Sequence, residues 1–91
     1  MDAELIKAIS SALTSYRQAI ANSADQEKED YSRLAAITEK VLIAMRANDI
    51  AQVRLSVLGF SRQVSDSFSH QPTAFRELAE RIAQVKKLVA Y

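Results

Sequence analysis

Residues 41–64 read VLIAMRANDIAQVRLSVLGFSRQV, and the spacing of their apolar side chains settles the fold class. Before the tetrad RAND, Val41 and Met45 continue a row set up by Tyr31, Leu34 and Thr38. After it, Ile50, Val53, Val57, Phe60 and Val64 recur three and four residues apart. That spacing puts each row on one side of an α-helix, whereas a half-buried strand alternates with period two. Between the rows, Asn48 tolerates the left-handed conformation in which helices end, and Asp49 is a strong N-cap for the next one. The stretch therefore predicts a helical hairpin turning at Asn48–Asp49.

Working outward, the same period appears twice more. Towards the N-terminus, Ile6, Ile9, Leu13, Tyr16 and Ile20 line up, flanked by Leu5, Ala12 and Ala19, with Asp2 placed to cap. Towards the C-terminus, SHQPT precedes Phe75, Leu78, Ile82, Val85 and Val89. Pro72 suits a first helical turn, and Lys86 and Lys87 suit the negative end of the helix. In the stretch NSADQEKED the apolar pattern stops. There Ser23 or Asp25 can cap a new helix, and Glu27, Glu29 and Asp30 favour its positive end. The expected helices are 3–22, 25–46, 50–68 and 72–90, within a single domain. Short connections make consecutive helices antiparallel neighbours, so the expected fold is all-α, an up-down-up-down four-helix bundle. NSADQEKED contains neither Gly nor Pro, which leaves one alternative: a single first helix of more than 40 residues packing with the last two, completed by a second chain as a helical homodimer.

The totals agree with this reading. One Gly and one Pro in 91 residues are too few for the many turns of a sheet protein. A chain that is 48% apolar and 25% charged can bury a core. No cysteine is present, so disulfides, thiolate nucleophiles and Cys-ligated metal sites are excluded. The opening residues carry Asp2 and Glu4 and do not resemble a signal peptide. The longest apolar run, 41–45, is far too short for a membrane span. The expectation is a soluble, cytoplasmic protein.

Few chemistries survive inspection. His70, the one histidine, falls in the loop before Pro72, with no acid at helical spacing to share a metal. Glu-x-x-His pairs, which di-iron bundles require, are missing. One glycine cannot make a phosphate-binding loop. Glu77 and Glu80 are flanked by Arg76 and Arg81, as in ordinary surface charge patterning. Ser10, Ser11, Thr14 and Ser15 form a hydroxyl-rich outer face with no nearby histidine to activate them. The rhythm of VLIAMRANDIAQVRLSVLG is similar to the helical hairpin of histidine-phosphotransfer proteins. Where that family presents a phospho-accepting histidine followed by Lys-Gly, this chain reads SVLGFSR. No enzyme activity, cofactor or metal is expected.

What remains is a surplus of apolar residues. With about 100° per residue, the third helix has its row within an arc of about 80°. Leu58 falls about 80° outside that arc, and Leu55 lies near the back beside Gly59. Glycine inside a helix costs about 1 kcal/mol relative to alanine, and close approach of another backbone is one way to offset it. Ile43 likewise points away from the row on the second helix. In a hairpin turning at Asn48–Asp49, residue 43 and residues 53–55 share a height, so Ile43, Leu55 and Leu58 are expected to line one partner-binding surface around Gly59, with Arg54 and Arg62 at its rim.

The expected function is that of a small, non-enzymatic protein-binding module, of the secretion-chaperone, immunity (antitoxin) or regulatory-inhibitor kind, or a homodimer using the same face. The alternative is a nucleic-acid-binding regulator. Residues 1–45 carry net −2 and residues 46–91 net +3, which together give +1. The cations of the second half (Arg54, Arg62, Arg76, Arg81, Lys86 and Lys87) would serve that role.

Overall fold

The computed structural model describes residues 2–22, 25–67 and 73–89. Four helices account for nearly all of them: α1 (Ala3–Ala21), α2 (Asp25–Arg46), α3 (Ile50–Ser67) and α4 (Thr73–Val89). No strand occurs among the described residues. Each helix packs on its neighbours in sequence, and α1 closes the ring by packing on α4. The result is a four-helix bundle measuring 37 × 24 × 17 Å. Its radius of gyration, 12.5 Å, matches the value of about 12 Å for a compact chain of this length.

The caps fall where the sequence places them. The Asp2 carboxylate accepts the backbone N–H groups of Glu4 and Leu5 at 3.0 and 3.3 Å, and so satisfies two of the four orphan donors at the start of α1. Asp49 does the same for α3, accepting from the Gln52 N–H at 3.2 Å. Just before it, Asn48 has φ 56°, the left-handed conformation that ends α2. The N–H of Asp49 then reaches back to the Ala44 carbonyl at 3.0 Å.

The alternative of one long first helix is not what forms. α1 ends at Ala21, where the Asn22 N–H closes the last turn on the Ala19 carbonyl, and α2 starts afresh at Asp25. The physical reason is burial. In a continuous helix the Ile9–Tyr16 row and the Leu34–Val41 row could not pack on each other. Folding back lets each cover the other. Ser23 lies outside the described residues, as do Phe68, His70 and Pro72.

The core is built from the four rows read above. Ile9, Tyr16, Leu34, Val41, Met45, Val53, Leu78 and Val85 are fully enclosed. Ile6, Ile37, Ile50, Val64 and Phe75 pack at its edge. Thr38 is the buried polar member, and its hydroxyl donates to the Leu34 carbonyl at 2.9 Å within α2. An aromatic chain ties the helices together at the end away from the α2–α3 turn. Tyr16 meets Tyr31 edge-on at 6.4 Å and Phe75 at 6.5 Å, and Phe75 lies parallel to Phe60 at 6.4 Å. One ring comes from each helix, at separations typical of favourable aromatic pairs.

Candidate interaction surface

The α2–α3 hairpin leaves a shallow groove along its outer side. The turn fixes the register: residues five or six before Asn48 stand level with residues five or six after Asp49. Ile43 therefore sits across from Leu55, and Ile37 across from Gly59. The groove encloses about 570 Å³. Its floor is low because the buried or half-buried residues there are small, namely Ala44, Ser56 and Gly59, with Ile37 at one end. From this floor rise Ile43 and Leu55, 59% and 63% exposed. Leu58, one turn beyond Leu55 on the same helix, is 47% exposed.

Among the described residues four large hydrophobic side chains are exposed, these three and Leu88, which lies on the opposite side of the bundle between α1 and α4. Isolated exposed leucines are ordinary. Three on one hairpin, two of them lining a groove, make a patch.

Gly59 behaves differently from its sequence reading. A Cβ at this position would meet a single neighbour, Ile37 Cγ2 of α2, at 3.9 Å, which is ordinary van der Waals contact. Among the described residues, no backbone beyond its own helical turns comes within 4 Å of that position. The monomer thus has room for alanine at residue 59, and the helical cost of glycine is not offset inside the bundle.

Arg54 also has a different place. Rather than standing at the rim, it is half-buried, and its Nε donates to the Val89 carbonyl at 2.8 Å. It joins the start of α3 to the end of α4 and satisfies one of the carbonyls left open at that terminus. Nothing local signals this contact, because the partners are 35 residues apart. Arg62 is exposed, seven residues and two helical turns along from Leu55.

Charge around the groove is unevenly committed. Lys40 and Asp49 line it, and Arg46 is exposed one turn from Ile43. Asp49 is engaged as the N-cap of α3. Glu39, beside Lys40, pairs instead with Arg17 of α1 at 2.7 Å. The other cations of the second half lie on α4. Arg76, Lys86 and Lys87 are exposed on α4, whereas Arg81 is half-buried beside a depression that also contains Asp2 and Glu4.

Elsewhere the described residues offer little for chemistry. No group of three or more His, Cys, Asp or Glu could hold a metal among them, and no described helix is long and apolar enough to cross a membrane. The Tyr16 hydroxyl is buried without a hydrogen-bond partner. Burial, with the neighbouring Tyr31 hydroxyl adding to it, pushes its pKa well above the usual tyrosine value. It is a poor acid enclosed in the core rather than a reactive group. Comparison with known proteins finds no matching family model, no matching curated protein and no matching solved structure.

Proposed function

We propose that the protein is a small, non-enzymatic, cytoplasmic binding module that captures an apolar surface of another protein on its α2–α3 face. The observation that carries this reading is the placement of Ile43, Leu55 and Leu58, each about half exposed or more, along one hairpin whose opposite faces supply the core. Burying a leucine-sized side chain is worth roughly 1.5–3 kcal/mol, so leaving three in water on one surface is a gain held for a partner. The anchors are these three residues. Arg62 lies at their edge, where a charge steers approach and fixes register. Secretion chaperones, immunity proteins and regulatory inhibitors include helical bundles of this size, and the proposal places the chain among such binders by architecture alone.

A photo-reactive amino acid at Leu55 tests the proposal in the native cell, with Ser11 on the exposed side of α1 as the control position. A discrete cross-linked species from residue 55 and none from residue 11 is the expected result. Cross-links from neither position, or equally from both, would refute it. The companion variant Leu55→Asp should change stability by no more than about 0.5 kcal/mol, as at other exposed sites, while abolishing the complex.

A further inference from the structure

We infer that the α2–α3 groove takes a single amphipathic helix with acidic flanks, laid along α2 and α3. This rests on the docking reading above and specifies the occupant. The groove follows two antiparallel helices from Ala47 beside the turn to Ile37. That is a rise of ten residues along α2 and into the turn, about 15 Å or nearly three helical turns. A helix is the element that fits such a trough. In the bundle each helix already lies against two others, and an added helix over α2 and α3 repeats that packing.

The floor favours close approach. Ala44, Ser56 and Gly59 keep it low, and nothing within the chain demands glycine at residue 59. Ile43 and Leu55 stand above it. A visiting helix with apolar residues at i, i+3 or i+4 and i+7 can set them into the trough beside those two side chains.

Charge selects the flanks. Lys40 lines the groove, and Arg46 and Arg62 are exposed one helical turn along from its residues Ile43 and Gly59. Of the nearby carboxylates, Asp49 caps α3 and Glu39 faces Arg17. Asp49 keeps its negative charge while capping, and Glu39 with Arg17 sums to zero. Among the described residues three cations therefore stand against the one carboxylate of Asp49, a positive balance that complements acidic residues on either side of an apolar helix face. A second copy of this chain fits less well. Two-fold pairing brings the same positive border against itself.

The test is selection of helical peptides by the full-length protein. A display library of peptides about sixteen residues long carries Leu, Ile, Ala or Ser on one face and a free choice of Glu, Lys or Gln on its flanks. The expected clones are acidic. Their affinity falls about tenfold or more with Leu55→Asp and with Arg62→Glu, a loss of at least about 1.4 kcal/mol, and weakens as salt is raised. Gly59→Ala should also weaken binding while leaving the protein folded.

Basic or neutral clones that still need Leu55 overturn the acidic helix and leave the docking face standing. Clones indifferent to Leu55→Asp count against both. Sedimentation of the protein alone gives the remaining outcome. An empty selection with a dimer broken by Leu55→Asp makes the occupant a second copy and ends the helix inference. An empty selection with a monomer ends it as well, and the cross-link at residue 55 then decides the docking face on its own.

Discussion

Replacing Gly59 by alanine should make the free protein more stable. Glycine in a helix interior costs about 0.8–1.0 kcal/mol relative to alanine, chiefly through backbone entropy. That gain is realised only if the added methyl group fits, and here it meets Ile37 Cγ2 at 3.9 Å and nothing closer. For a chain of 91 residues, the unfolding entropy near 60 °C is about 0.19 kcal/mol/K, so about 1 kcal/mol raises Tm by about 5 °C. Thermal unfolding followed by circular dichroism at 222 nm measures this directly. Ala83, exposed in the interior of α4, supplies the mirror experiment. Ala83→Gly should lower Tm by about the same amount. A fall in Tm for Gly59→Ala would refute the reasoning, since it would mean the floor of the groove is closed rather than open. The stability gain is also what gives the binding test its force: a variant that folds better and binds less well locates the function of the glycine outside the monomer.

Four further outcomes follow from the packing. Ile9→Ala removes a fully enclosed side chain and should cost about 2–5 kcal/mol, seen as a lower urea midpoint with unchanged slope. Tyr16→Phe removes a buried hydroxyl that has no hydrogen-bond partner and should stabilise the protein by about 1 kcal/mol, because the desolvation penalty goes with it. The same residue gives a pH signature. Its pKa is raised in the folded state, so its contribution is complete below the unfolded tyrosine value and is lost as pH rises. Above about pH 10 the unfolded chain releases this proton and the folded one keeps it, which lowers stability by up to about 1.4 kcal/mol per pH unit. Urea midpoints measured from pH 8 to 11 should fall less steeply in Tyr16→Phe than in the parent. Arg54→Ala breaks the 2.8 Å bond to the Val89 carbonyl and should cost about 1–2 kcal/mol, with faster amide exchange confined to the last turn of α4.

Much of the architecture was legible in the amino-acid order because helices are local. Each depends on spacings of three and four residues and on caps two or three residues away. Asp2, Asn48 and Asp49 announced their helix ends, and Tyr31, Leu34, Thr38, Val41 and Met45 all proved buried. The exposed trio was legible for the same reason: Ile43, Leu55 and Leu58 break the period of their own helices, and a residue out of phase with a buried row must face elsewhere.

Other features needed the chain to fold back on itself. Whether 3–46 makes one helix or two was undecided by spacing, because NSADQEKED carries no breaker residue; mutual burial of α1 and α2 decided it. Arg54 looked like a rim charge by its phase, yet the end of α4, 35 residues away, brings a carbonyl to it. The trough at Ala44, Ser56 and Gly59 exists only because the hairpin register sets small residues opposite one another. Gly59 was visible as an anomaly in sequence, but only the position of Ile37 shows that this chain does not require it. Periodicity reports which way a side chain points from its own helix. What it meets there depends on residues distant along the chain, and only their packing supplies that.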